Sequence, residues 1–486
     1  MQINYRNMGA AKTVTGSSHL LEIKDLEGEK DLKIVIDMGT FQDNTCSFSK
    51  LYEINSRKYP VNFEDVSYVL VTHSHADHCD NLGRLPALDF KGKILATSLT
   101  AELMEINLLD NCRIHNKDIE RENKKKEKKK KHTEMYIPLY TQASIQWVLE
   151  NTRGYSYDKE IKLNNHVSAK FIPSGHISGA SSIVITIKEK DNIRRMLFTG
   201  DVSCDRNIPF TKKLDIKDEK FDYIATENTY GDRLIPKTDI VAELKGHITE
   251  TCMVRNSKIL LPVFSIARST NMLFYLKEVY KYNPQFRDVK IYLVSPMACK
   301  SHSVIGKDTS FEFYDEQWKE QKDLWKWANI EYIESFKKLQ KIIDIDERCI
   351  YCASSGMLSG GLSQFIASKL LPKKTNKIVF CGYQAINSLG RNILEHEQKK
   401  ITITDVDLKK IEIPINCDID FIDGCSSHGD YQDIIKAFKS TKYSKIKKII
   451  VTHGQEEVCN IFANKLKKEF NADIYVPNYG ETIKLL

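Results

Sequence analysis

The sequence predicts a layered α/β protein in which one unit interrupts another, and three observations carry that prediction. Short β-branched runs recur, each too short for a free-standing helix and each ending abruptly in Asp, His or Glu. From about 231 to 411 the texture changes, and helical stretches alternate with apolar strands, as where crossover helices join parallel strands. After about 412 the first texture returns. The chain therefore leaves one domain, builds another and comes back, with divisions expected at 1–230, 231–411 and 412–486.

The elements follow in chain order. Leu32–Ile36 ends in Asp37, and residues 68–72 end in His73. Residues 169–172 lead through Pro173 to His176, and 195–198 run into Thr199, Gly200 and Asp201. Tyr223–Thr226 ends in Glu227, and 448–452 end in His453. In the middle, strands at 259–261, 289–294 and 377–381 alternate with helical stretches such as 266–280. Any one polar ending is explained as well by a turn, because Asp and Gly favour turns. Six such endings predict instead that the strand ends meet on one rim of a sheet, where sites of layered α/β proteins sit.

Of the 486 residues, 41% are hydrophobic and 28% charged, which excludes a wholly disordered chain. No apolar run approaches the roughly 18 residues of a membrane span, and residues 1–9 lack a secretory core, so a cytoplasmic protein without membrane contact is expected. The twelve Cys are scattered in apolar stretches and read as reduced thiols, with Cys349 and Cys352 a lone pair on a strand. The net charge is +7, of which residues 124–131, seven Lys and one Glu, supply +6. The other 478 residues sum to +1, so this is not a uniformly basic nucleic-acid coat. The Lys run reads either as a solvated loop or helix end or as a phosphate-attracting flank. Phosphate-loop signatures are missing.

The strongest local signal is Thr72-His73-Ser74-His75-Ala76-Asp77-His78, with four potential ligands in six residues from a chain of 13 His. His73 and His75 point to one side if the backbone stays extended, and Asp77 and His78 face elsewhere after a turn. One tetrahedral ion does not easily use all four, whereas two adjacent ions do. His176, between flexible glycines, can complete the first site. Asp201 can bridge both ions with its two oxygens, and His453 can close the second. Asp37 fits a supporting role, accepting an N–H from a ligating imidazole.

These residues, together with ATENTYG at 225–231, PVFSIAR at 262–268, SPM at 295–297, ASSGMLSGG at 353–361, GYQA at 382–385 with LGR at 389–391, SHGD at 427–430 and VTHG at 451–454, resemble the β-CASP branch of the metallo-β-lactamase fold over nearly the whole chain. The resemblance implies an αββα sandwich, split in sequence, with an inserted β-CASP α/β domain. It also implies a zinc-dependent ribonuclease that hydrolyses RNA phosphodiesters at the cleft between the domains through a water activated by two Zn2+, with Mn2+ as the alternative cation. Carried over residue by residue, His73, His75 and His176 match one zinc site, Asp77, His78 and His453 the other, and Asp201 the bridge. Asp77, Glu227 and His428 form the implied catalytic set, with Glu227 and His428 its acid–base pair, and Asp37 the supporting aspartate.

Ser354, Ser355 and Gly356 offer hydroxyl and N–H groups for phosphate, although the same stretch reads as a strand-to-helix turn. Arg268 and Arg391 are further phosphate candidates or helix-start surface charges. Within the resemblance, the His at 453 favours single-stranded RNA over DNA as the substrate. A DNA-directed nuclease, a hydrolase of a small ester or thioester, and a non-catalytic RNA-binding scaffold are the competing expectations. Endonuclease against exonuclease, the natural RNA, and monomer against homodimer stay open.

Overall fold

The computed structural model describes residues 1–128, 134–204, 206–395, 399–404, 410–441 and 445–486. Of the Lys run, Lys129, Lys130 and Lys131 lie outside the described residues. The chain forms two compact units, Met1–Leu234 with Ser427–Leu486, and Ile235–Ser426.

Among the described residues the first unit holds two seven-stranded sheets. One is ordered Thr482–Lys484, Gln2–Gly9, Ser18–Lys24, Leu32–Ile36, Tyr68–Leu70, Lys93–Thr97, Thr152–Tyr155. The other is ordered Asp473–Tyr475, Lys448–Val451, Tyr223–Thr226, Asn192–Phe198, Ser181–Glu189, Val167–Pro173, Glu160–Lys162. Their inner faces share one core, in which Tyr5, Leu21, Ile34 and Leu70 of the first sheet pack with Phe171, Ile185, Phe198 and Ile450 of the second. The outer faces are covered by amphipathic helices. Met104, Leu108 and Cys112 of Ser98–Lys128 and Ile145 and Val148 of Gln142–Asn151 cover the first sheet. Ile434 and Phe438 of Tyr431–Lys439 and Cys459, Phe462 and Leu466 of Glu456–Glu469 cover the second. Their spacings of three and four residues place each apolar set on one helix face. The unit is thus an αββα sandwich.

The pairings fix where the chain presents chemistry. Leu32–Ile36, Tyr68–Leu70 and Lys93–Thr97 are mutually parallel neighbours, as are Asn192–Phe198, Tyr223–Thr226 and Lys448–Val451. Parallel neighbours end side by side, so the residues just after Ile36, Leu70, Phe198, Thr226 and Val451 share one rim.

The second unit is built on six parallel strands, ordered Ile330–Ile333, Lys290–Val294, Cys349–Ala353, Lys258–Pro262, Lys377–Phe380, Asp418–Phe421. Cys349 and Cys352 lie buried in the central strand as free thiols. The last strand, Asp418–Phe421, pairs with Lys377–Phe380, so sheet pairing carries this unit past residue 412 to Ser426. Among the described residues no helix is long and apolar enough to cross a membrane.

One buried group of this unit makes a stability prediction. His302 is buried against Trp325, ring centroids 5.2 Å apart, with Nδ1 3.1 Å from Thr270 Oγ1 and Nε2 without a hydrogen-bond partner. Burial lowers its pKa from 6.5 to about 3. The unfolded chain therefore binds the proton first, and stability contributed by the neutral ring is complete above about pH 6.5 and lost as pH falls toward 3. His302→Gln is expected to flatten urea-unfolding free energy between pH 7 and pH 5 by about 2 kcal/mol relative to wild type. An unchanged difference between the two pH values would show that the ring takes no part.

Candidate metal centre

The loop after Tyr68–Leu70 is pinned from below by Asp37. Its Oδ1 accepts from Thr72 N at 2.7 Å, and its Oδ2 from Thr72 Oγ1 at 2.8 Å and His78 Nδ1 at 2.7 Å. A carboxylate accepts only, so His78 carries a proton on Nδ1 and turns Nε2 outward. Met38 N donates to His78 O and Thr40 N to Ala76 O, laying the 38–40 backbone along the loop. Gly39 is required there, because a Cβ would stand 1.6 Å from Asp77 O. Asp37 and His453 have φ of 60° and 55°, a left-handed conformation that persists only where the surroundings over-determine it.

Three other rings are anchored the same way, through the nitrogen that faces away from the cluster. His73 Nδ1 lies 3.1 Å from Thr72 Oγ1, His176 Nδ1 3.2 Å from Ser427 Oγ, and His453 Nδ1 3.3 Å from Thr229 Oγ1. Asn228 ties the end of Lys448–Val451 down, Nδ2 donating to Thr452 O at 3.0 Å. Sequence reasoning passed over Thr72, Thr229, Asn228 and Ser427, whose only signal was adjacency to a predicted ligand or motif.

Two sets of donor atoms result. His73, His75, His176 and Asp201 converge, as do Asp77, His78 and His453. In the first, His73 Nε2 to His75 Nδ1 is 3.1 Å, His75 Nδ1 to His176 Nε2 3.3 Å, and Asp201 Oδ2 is 3.5 Å from both His73 Nε2 and His176 Nε2. In the second, His78 Nε2 to His453 Nε2 is 3.3 Å and His453 Nε2 to Asp77 Oδ2 3.4 Å. Asp201 Oδ1 faces this second set, 3.2 Å from His78 Nε2 and 3.6 Å from His453 Nε2. Four atoms bonded tetrahedrally at about 2.0–2.1 Å stand about 3.3 Å from one another. These separations match that edge, and imidazole nitrogens and carboxylate oxygens are the donors that such an ion takes. Asp201 Oδ1 is buried with no hydrogen-bond partner, a costly state that a cation would relieve.

Electrostatics separate the two sets. Burial, reinforced by His78, holds the His73 pKa well below its ordinary value, and burial likewise lowers His75 to about 4, so both rings are neutral at pH 7. Burial also acts on His78, but Asp201, Asp37 and Asp77 outweigh it and raise that ring well above 6.5. Asp201 is driven the other way: burial raises it, and His453, His78 and His73 together pull it well below the carboxylate range.

A third group stands beside these two, Asp201, Glu227 and His428. Glu227 accepts from Val202 N at 2.7 Å and Thr229 N at 3.2 Å, and His428 Nδ1 lies 2.9 Å from its Oε1. The His428 side chain is 19% exposed while Glu227 is 1% exposed. Burial lowers the His428 pKa, but Glu227 and Asp201 overcome it and leave it raised.

The expected phosphate residues lie in the other unit and belong to none of these groups. Ser354 Oγ is buried without a hydrogen-bond partner, Ser355 Oγ accepts from Ser359 N at 3.0 Å, and Gly356 O accepts from Gln384 Nε2 at 3.0 Å. The Arg268 guanidinium donates to Cys425 O, and Arg391 pairs with Glu395 at 2.6 Å.

Comparison with known proteins gives matches along the chain. Residues 270–393 match the Beta-Casp domain and 412–477 the Zn-dependent metallo-hydrolase RNA specificity domain. A transcription termination factor of Methanocaldococcus jannaschii is 28% identical over 460 residues, covering 94% of this chain and 68% of that protein. A ribonuclease of Thermus thermophilus is 25% identical over 486 residues, 98% of each chain. A crystal structure of a protein of unknown function from Enterococcus faecalis shares the fold over 100% of both chains, with TM-score 0.56 and 12% identity. With the two domain matches in that order and the αββα unit split around a parallel-sheet insertion, the chain is similar to the β-CASP proteins of the metallo-β-lactamase fold.

Proposed function

We propose that the chain is a zinc-dependent ribonuclease that hydrolyses phosphodiester bonds of single-stranded RNA. One observation carries the reading: the two oxygens of Asp201 each face a separate set of imidazole nitrogens. His73, His75 and His176 would hold one ion and Asp77, His78 and His453 the other, with Asp201 between them. The donor types suit zinc and also accept manganese. Bound there, the pair would supply Lewis acidity and an activated water.

The chain's own residues then have defined work. Asp37, Thr72, Thr229 and Ser427 hold the imidazoles so that their free nitrogens converge. Asp77, at 20% exposed the most accessible carboxylate of the ligand set, can take the proton that the attacking water gives up. His428 gives a proton to the departing sugar oxygen, and Glu227 keeps that ring oriented and favours its charged form. RNA is favoured over DNA by the RNA specificity match at 412–477 and by the ribonuclease among the relatives.

The test is incubation of purified protein with 5′-labelled and 3′-labelled RNA, whose product ladders report activity, polarity and end chemistry together. Wild type is expected to cleave, leaving 5′-phosphate ends, and His75→Ala to be inactive. Cleavage at the wild-type rate by His75→Ala, or turnover of thioesters with RNA untouched, would sink the reading.

A further inference from the structure

The helix Ser98–Lys128 is longer than its packing requires. Its last buried residue is Ile119, and none of residues 120–128 is buried. Along its outer side Arg113, Lys117, Arg121, Lys124 and Lys128 follow at steps of four, four, three and four, and all five are exposed. Those steps keep one stripe at 3.6 residues per turn, spanning about 22 Å at 1.5 Å per residue.

The opposite side is held. Cys112 and Ile119 are buried, His115 Nε2 accepts from Leu139 N at 3.2 Å, and Asn123 exchanges two bonds of 2.9 Å with the backbone of Tyr136. Lys126 donates to Glu134 O at 2.6 Å and sits 3.5 Å from the Tyr136 ring centroid. Tyr136 in turn packs on Phe48 and Tyr52, centroids 5.0 and 4.8 Å away. The returning segment thus clasps the helix end along its inner side and keeps it straight where burial no longer does.

The cations on the free side are only partly neutralised. Arg113 pairs with Asp110 and Arg121 with Asp118, both exposed pairs of small worth. Lys117, Lys124 and Lys128 make no ion pair among the described residues. Like charges at these spacings destabilise a helix, and exposed Glu120 and Glu127 on the same side offset them only in part, so an external anion would relieve the row. A flat row of cations without aromatic partners matches a phosphate backbone better than it matches bases.

We infer that this basic helix face is a docking arm for the phosphate backbone of single-stranded RNA, separate from the metal centre. The inference rests on the ribonuclease reading for the choice of RNA. Its test is fluorescence anisotropy with a 20-nucleotide RNA, in wild type and in an Asp201→Asn background where the RNA survives. Lys117→Gln, Lys124→Gln and Lys128→Gln combined keep helix propensity. They should weaken binding about tenfold at 0.1 M salt and lower the log–log salt slope by about 2, from three phosphates at about 0.7 each. The matching Lys→Arg triple should retain both, and Lys124→Gln alone should lower the slope by about 0.7.

Unchanged affinity and slope in the Gln triple, with wild type binding RNA, would overturn the arm and leave the ribonuclease reading standing. Binding through the arm without cleavage by wild type would do the reverse. A Gln triple that keeps RNA but loses polyglutamate would assign the face to an acidic protein and also overturn the inference.

Discussion

Asp201→Asn is expected to remove at least one equivalent of bound divalent cation per chain and to slow RNA cleavage by about a thousandfold or more. The argument is geometric. Among the described residues Asp201 is the one whose two oxygens face different donor sets, Oδ2 toward His73 and His176 and Oδ1 toward His78 and His453. An amide substitutes a donor for one acceptor and removes a full negative charge in a buried pocket, while hardly changing volume. Metal assistance is worth several kcal/mol of transition-state stabilisation, and each 1.36 kcal/mol is tenfold in rate. Elemental analysis and single-turnover cleavage check the two halves separately. The apo proteins add a third readout. The amide also loses the attraction of the surrounding imidazoles in the metal-free chain, so the readout is the rise in Tm on adding Zn2+, which should shrink. A variant with a full complement of metal and a rate within tenfold of wild type would remove Asp201 from the bridge.

How far this site was legible in the sequence depends on what kind of information each residue carries. His73, His75, Asp77 and His78 stand within six positions, and a loop that short cannot scatter them. Asp201, Glu227 and His453 were legible because each follows one of three neighbouring parallel strands, which end side by side, and His176 because Val167–Pro173 runs in the same direction across the antiparallel strand Ser181–Glu189. Asp37 was legible as an anchor, and Thr229 and Ser427 were not. Thr229 reaches His453 across 224 positions and Ser427 reaches His176 across 251, contacts that exist only once strands distant in sequence have joined one sheet. The end of the inserted unit was hidden for a related reason. Asp418–Phe421 alternates polar and apolar residues like the strands of either unit, and only its pairing with Lys377–Phe380 decides which sheet it joins. Arg391 shows the limit of reading charge alone, since its guanidinium is engaged by Glu395 one turn along the same helix end.

His428→Ala should separate proton donation from metal binding. The ring touches the ligand set, its centroid 4.6 Å from that of His176, yet its Nε2 is 4.0 Å from Asp201 Oδ2, longer than a hydrogen bond. Its Nδ1 is committed to Glu227, which is itself fixed by Val202 N and Thr229 N, so the ring is held in one orientation with Nε2 toward the cluster. A positioned general acid contributes about 10²–10⁴-fold. Loss of the imidazole should therefore lower the single-turnover rate on RNA by that factor while metal content stays at the wild-type value. The discriminating substrate is a phosphodiester with a p-nitrophenolate leaving group, which departs without being protonated. On it His428→Ala should lose less than about tenfold, since the protonation worth 10²–10⁴ is no longer needed. Glu227→Gln should follow the same pattern more weakly, because it leaves the ring in place but removes the charge that favours its protonated form. Equal losses on both substrates, or loss of metal with the ring, would make His428 a ligand or a scaffold of the metal centre and not its acid.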